Sequence, residues 1–218
     1  MNRRVTLLYV LFQVGLIFVL ISAGSGGLGL PDEPAVVGVL VCMVLGAFTI
    51  LHTGVDLERL SDPTELWGLV ATLLLAAFFF YFLPLADRKS WFVIIPGDEV
   101  RYTGLLLFAI GTGARTMGFL TRQEKMSATG LFPLLDERSF VERSIYLRTR
   151  HPQYLGLILQ SVGFALAFRS WLGLVAALVM VGPIVARVNA EEQILRERLG
   201  ERYEKYLERT WRFLPGIY

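Results

Sequence analysis

The chain has 218 residues, of which 54% are hydrophobic and 18% charged, with a mean hydropathy of +0.54. Counted with Gly in and Tyr out, the apolar share is roughly 60%, against about 45–50% in soluble domains, whose charged share is about 25%. A soluble globule has no core large enough to hide that excess, so the composition specifies a membrane protein.

Cys42 is the one cysteine, and His52 and His151 are the two histidines. An intrachain disulfide, a cysteine-built metal site and a zinc site made mostly of imidazole are excluded. The net charge of +2 is unevenly divided: residues 1–100 carry 5 Lys/Arg and 9 Asp/Glu, whereas residues 101–218 carry 16 and 10. In a membrane protein such a bias is first a topology signal. Neither nucleic acid nor a metal ion is expected as a partner.

In chain order, four apolar stretches are long enough to cross about 30 Å of hydrocarbon, which takes roughly 20 helical residues. They cover 5–22, 35–52, 66–86 and 102–120. Breakers separate them: Gly24-Ser25-Gly26-Gly27 with Pro31 and Pro34, then Asp62-Pro63, then Pro96-Gly97. Arg3-Arg4 before the first stretch gives it the look of a signal peptide, but its apolar run is longer than a usual signal core and further spans follow.

The last apolar region, 154–186, is interrupted by Arg169-Ser170. Its arms, 154–168 and 171–186, are each about 23–24 Å long as helices, short of a full crossing. A guanidinium inside a continuous membrane helix is costly. The pattern predicts a helical hairpin that dips into the bilayer and returns, bringing residues 151 and 187 to one face. Residues 185–210 then read as one amphipathic helix, with Ile194, Leu195, Leu199, Tyr203, Tyr206 and Leu207 at three- and four-residue steps and Gly200 inside it.

The expected fold is therefore all-α and integral to the membrane: four transmembrane helices, a C-terminal membrane hairpin and an amphipathic cytosolic helix. Residues 1–98 form a three-span scaffold, and 99–218 carry the fourth span, the polar motifs, the hairpin and the last helix, all in one structural domain. Arg3-Arg4 and the six Lys/Arg of 122–150 set the cytoplasmic side, although the acidic loop 53–65 shares it.

Polar residues capable of chemistry collect at both ends of the hairpin. Before it runs Tyr146-Leu147-Arg148-Thr149-Arg150-His151-Pro152-Gln153-Tyr154, and after it Arg187-Val188-Asn189-Ala190-Glu191-Glu192. Pro152 suits the first turn of a helix, so Arg150 and His151 cap it where backbone N–H groups can hold an anion. Arg187 and Glu191 are i, i+4 on one helix face. Singly these residues are ordinary: lipid anchors, an aromatic belt, a surface ion pair. Their convergence on one membrane face points to a site. A carboxylate, a basic group, aromatic rings and a helix N-terminus suit a zwitterionic amino-acid tail joined to an aromatic base, and S-adenosylmethionine answers that description, with aromatic faces for its sulfonium.

The pattern Tyr146-x3-Arg150-His151-Pro152-x-Tyr154-x-Gly156, then Arg187-x3-Glu191-Glu192-x2-Leu195, Leu199-Gly200-x2-Tyr203-x2-Tyr206 and Leu214-Pro215, resembles the isoprenylcysteine carboxyl methyltransferase family. It is also similar to other small integral-membrane methyltransferases, including phospholipid N-methyltransferases. The resemblance covers roughly residues 144–218; Ser144-Ile145 stand where the family usually has glycine, and 132–141 are atypical. It implies a multi-pass membrane enzyme that binds S-adenosyl-L-methionine at the cytoplasmic face and takes a lipophilic or lipid-linked acceptor from the bilayer. By motif position, Tyr146, His151, Pro152, Gln153, Tyr154 and Glu191 would bind the cofactor, and Arg187 would hold the acceptor carboxylate as the catalytic and substrate-binding residue. The alternatives are a phospholipid or thiol methyltransferase of the same fold, and a membrane NADPH-dependent sterol-type reductase, whose family carries a similar Arg-His-Pro-x-Tyr stretch.

Overall fold

The structure, a computed structural model, describes residues 3–27, 29–53, 74–94, 97–122, 142–214 and 216. The first and second predicted spans are helices α1 (Arg3–Ser25) and α2 (Pro34–Thr53). Of the third, residues 66–73 lie outside the described residues, as do 54–65 of the acidic loop, the atypical 132–141 and Pro215. The remainder of that span is a helical run over 74–88, with a π-helical segment at Phe78–Phe82 leading into α3 (Leu83–Arg88). The fourth predicted span is α4 (Asp98–Arg122), followed by a 3-10 turn at Ser144–Leu147, then α5 (Pro152–Ala167), α6 (Trp171–Leu199) and α7 (Glu201–Arg209). The described residues hold no strand, only two isolated β-bridges. The fold is all-helical, and three of its helices, over Thr6–Ser25, Asp98–Thr121 and Trp171–Leu199, are long and apolar enough to cross a membrane. α2 contributes a shorter apolar helix, Pro34–Ala47.

Local chemistry explains several boundaries. α1 runs into Gly26, whose φ of 118° suits only glycine. α4 begins with Asp98 and Glu99, carboxylates that complement the helix N-terminus. Pro84 has no N–H to give and its ring crowds the carbonyl four residues back. The ladder shifts register there, Leu83 N–H reaching Phe78 O in the π segment.

The closest helix pair is α4 with α5. Glycines recur every seventh residue on α4, at Gly104, Gly111 and Gly118, and on α5 at Gly156 and Gly163. A Cβ on Gly111 would stand 2.7 Å from Gly156 O, and one on Gly156 2.6 Å from Gly111 O. The same holds between Gly104 and Gly163, at 2.6 Å and 2.7 Å from each other's carbonyls. The backbones touch, the packing that replaces the hydrophobic effect between helices in lipid. Around this seam Phe164 meets Phe79, Phe80, Phe108 and Phe168 with ring centroids 4.7–6.2 Å apart.

Arg169-Ser170 does break the last apolar region: α5 ends at Ala167 and α6 starts at Trp171. Arg169 takes φ 47°, the left-handed turn position, at a cost of about 1–2 kcal/mol for a side-chain-bearing residue. Its guanidinium is compensated, with Nε and Nη2 on Asp87 Oδ1 at 3.0 and 2.9 Å. Arg101 completes the cluster, with Nη2 on Asp87 Oδ2 at 2.8 Å and Nη1 on Ala167 O at 2.9 Å, which caps α5. Ser170 caps the start of α6, its Oγ accepting from Gly173 N at 3.1 Å.

Two expectations change here. α6 does not stop near residue 186 but continues through the polar segment to Leu199, because no breaker stands between Ala186 and Gly200. The amphipathic stretch 185–210 is not one helix: Gly200, at φ 50° and ψ −128°, ends α6 and starts α7. Glycine reaches that backbone conformation without a Cβ clash.

Candidate active site

The polar motif before α5 is held by the end of the chain. Thr149 bridges Trp211 in parallel, with Trp211 N–H donating to Arg148 O at 3.0 Å and Arg150 N–H to Trp211 O at 2.8 Å. Thr149 Oγ1 adds a bond to Phe213 O at 2.7 Å. These bonds satisfy backbone ahead of α5 and lay Phe213 over His151, centroids 6.2 Å apart.

His151 stands at the N-cap of α5, yet its side chain does not cap that helix. It turns to α6 instead: Nδ1 lies 3.4 Å from Glu191 Oε2, and Nε2 3.2 Å from Glu192 Oε1. All three residues are buried, at 2%, 1% and 4% exposure. Glu192 is gripped further by Arg150 Nε at 3.2 Å and Arg212 Nη2 at 2.9 Å. Arg150 also leaves the expected position at the start of α5, since its Nη1 donates to Thr210 O at 2.7 Å and Leu207 O at 3.2 Å and closes the end of α7.

Glu191 opens the second half of the network. The Tyr154 hydroxyl donates to Glu191 Oε1 at 2.5 Å and accepts from Arg187 Nε at 3.1 Å. An exposure of 1% removes Glu191 from the ordinary class of exposed i, i+4 pairs. Beneath lie Leu157, Ile184 and Val188. The residues expected at the site thus fall into two groups. His151, Tyr154, Arg187 and Glu191 form one connected network. Tyr146, Pro152 and Gln153 abut α4 at Gly118: a Cβ there would meet Gln153 Cγ at 2.7 Å and Pro152 Cγ at 3.3 Å, and Tyr146 Oη donates to Gly118 O at 3.3 Å. Tyr206 Oη ties that side to α7 through Tyr146 O at 2.8 Å. Next to Tyr206, the Tyr203 phenol is held above its ordinary range by burial, with the Glu192 carboxylate adding to the effect.

Sequence reasoning missed Arg115. It was the one charge within the 102–120 span, and a charge in a membrane span is a functional signal in itself. Arg115 Nη1 donates to Gln160 Oε1 at 3.2 Å, and Gln160 Nε2 to Thr112 Oγ1 at 2.9 Å. These three polar side chains sit with Gln13, Thr116 and Ser161 in the wall of a mostly apolar cavity of about 500 Å³ between α1, α2, the π segment, α4, α5 and α6. Leu157 lines this cavity and packs with Tyr154, so the cavity adjoins the network. Glu192 was part of the motif but not of the expected site, and Arg212 carried no local signal because its pairing arises from chain ends meeting. Among the described residues no group of His, Cys, Asp and Glu is arranged to hold a metal ion.

The family described as phospholipid methyltransferase matches residues 100–202, which include nearly all of α4, α5 and α6 and the network residues Arg150, His151, Tyr154, Arg187, Glu191 and Glu192. The fold is similar to that of the eukaryotic intramembrane Ras methyltransferase, isoprenylcysteine carboxyl methyltransferase, with a TM-score of 0.55 and 19% identity over 94% of this chain and 74% of that one. Two curated proteins from Oryza sativa, of subspecies indica and japonica, are each named probable protein-S-isoprenylcysteine O-methyltransferase. Each is 28% identical over 131 residues, 60% of this chain and 65% of the relative's length. The chain is thus similar to phospholipid methyltransferases over residues 100–202 and to isoprenylcysteine methyltransferases in part of its sequence and in its fold.

Proposed function

We propose that the chain is an integral-membrane S-adenosylmethionine-dependent methyltransferase for a lipophilic acceptor, with carboxyl methylation of an isoprenylcysteine-type group as its reaction. The observation that carries this reading is the chain in which buried Glu191 and Tyr154 meet half-buried Arg187, closed on its other side by His151. Its residues fit the donor: a buried carboxylate for a cationic centre, two aromatic rings within 6 Å of each other for a sulfonium face, and hydrogen-bond donors for polar tails. When bound, S-adenosylmethionine supplies an electrophilic methyl group for an in-line displacement.

The chain's own part is positioning. Glu191 and Tyr154 hold the donor's cationic side, and His151, braced by Glu192, fixes Glu191. Tyr146, Pro152 and Gln153 line the α4 side. Arg187, its Nε on Tyr154, stands where its guanidinium can meet an acceptor carboxylate. The apolar cavity takes the acceptor's lipophilic part, with Arg115 in its wall as a second cation for the carboxylate.

On this reading α1, α2, the span over 66–86 and α4 cross the membrane, and α5 with the apolar part of α6 forms the hairpin. Residues 1–98 serve as the scaffold and 99–218 as the catalytic part. Basic residues flanking the first span and preceding α5 set the site on the cytoplasmic face. The test is calorimetric titration of the detergent-purified chain with S-adenosylhomocysteine beside NADPH. Binding of S-adenosylhomocysteine, lost in Glu191→Gln, is expected. Binding of NADPH instead would overturn the reading in favour of a membrane reductase.

A further inference from the structure

At Glu192 lies a polar cleft of about 380 Å³ lined by Arg150, Asn189, Glu192, Arg196 and Arg212. Three guanidiniums face a single carboxylate there. That carboxylate is already shared with His151 at 3.2 Å as well as with Arg150 and Arg212. Arg212 Nη2 also meets Asn189 Oδ1, which fixes its plane across the cleft. Arg196 has a partner outside the lining, Glu204 Oε1 at 3.2 Å, but both side chains are half-exposed, and such pairs are weak. The lining therefore carries an excess of positive charge in a preformed concavity, the setting in which guanidinium forks take up phosphate oxygens.

The cleft lies beside a surface suited to lipid. Trp211 and Leu214, flanking Arg212 in the chain, are 46% and 42% exposed. Exposed Trp and Leu beside arginine mark a segment at the headgroup level of a bilayer. We propose that this cleft binds a phosphate group, carried by a phospholipid headgroup or free in solution. Filling it acts on the buried network through Glu192, which a bound phosphate would rival for Arg150 and Arg212 while His151 remains its other partner. The proposal does not depend on which reaction that network performs.

The test is calorimetric titration of the delipidated full chain in a neutral, phosphate-free detergent, with inorganic phosphate and with monomeric dihexanoyl phosphatidylglycerol as probes. One-to-one saturable binding is expected, weakened about tenfold on loss of one charge-assisted contact in Arg196→Gln and in Arg212→Gln. Arg196 is half-exposed, so its variant folds even if Arg212→Gln does not. Binding of the lipid without displacement by inorganic phosphate would identify a headgroup site, and binding of inorganic phosphate itself would show that the phosphate group suffices. Absence of saturable binding by either probe, or wild-type affinity in both variants, would overturn the proposal. So would stoichiometric displacement of the probe by S-adenosylhomocysteine, which would assign the cleft to the methyl donor.

Discussion

The Tyr154 hydroxyl donates to Glu191 Oε1 at 2.5 Å while accepting from Arg187 Nε at 3.1 Å, so a single phenol on α5 joins two opposite charges one turn apart on α6. This bond pair decides where both side chains point. Tyr154→Phe keeps the ring and deletes both bonds, leaving a buried carboxylate with one donor fewer. The expected loss is about 1–3 kcal/mol of stability, the penalty for stripping a partner from a buried polar group. Thermal unfolding in detergent checks the stability, and S-adenosylhomocysteine affinity, expected to fall about tenfold in the same variant, checks the site.

Arg187 and Arg115 approach the network from different helices, and the proposed reaction uses both toward the acceptor. Arg187→Ala and Arg115→Leu are expected to raise KM for a prenylated cysteine carboxylate by about tenfold or more, the worth of one charge-assisted contact. S-adenosylhomocysteine affinity should change far less. Steady-state kinetics over both substrates separates the two effects. A loss confined to donor binding would place these arginines on the donor side.

The sequence made the helices and the network's core legible for different reasons. Apolar run length marks α1, α2 and α4, and charge at Arg169-Ser170 marks the turn between α5 and α6. His151, Tyr154, Arg187 and Glu191 were readable because each lies in a short motif at fixed spacing. Glu192's other partners were not, since Arg150 and Arg212 are 62 residues apart and meet only when residues 211–213 pair with 148–151. Asp87 and Arg169, 82 residues apart, pair across the fold in the same way. The break at Gly200 needed its backbone angles, because an isolated glycine within a helical pattern can be tolerated as well as terminate it.

The seven-residue glycine spacing on α4 was visible in the sequence but gains meaning only from what it touches. A side chain at Gly156 would stand 2.6 Å from Gly111 O and 2.9 Å from Arg115 Cβ, whereas one at Gly113, on the same helix as Gly111, meets nothing within 4 Å. Gly156→Val is therefore expected to force α4 and α5 apart at a cost of about 1–3 kcal/mol. Gly113→Ala should be neutral or stabilising by up to about 1 kcal/mol, the helix-propensity difference. Paired thermal unfolding curves of the two variants test the seam, and equal effects would refute it.

Asp87 is the shared partner of two guanidiniums, Arg169 at 2.9 Å and Arg101 at 2.8 Å, and Arg101 is only 3% exposed. Removing the carboxylate leaves buried Arg101 with Ala167 O as a neutral acceptor and a long contact from its Nε to Glu33 Oε2 at 3.8 Å. Asp87→Ala is therefore expected to cost about 3–5 kcal/mol, typical for breaking a buried ion pair by deleting one member. Arg169 contributes a second, opposing effect, because its φ of 47° is a position glycine fills without strain. Arg169→Gly alone loses the bond to Asp87 and gains backbone relief. In the Asp87→Ala background it should lose nothing and recover about 1 kcal/mol of that strain. The double-mutant cycle, read by thermal unfolding, isolates the Asp87–Arg169 coupling from the backbone effect. Additive behaviour would show that Arg101 alone is what Asp87 neutralises.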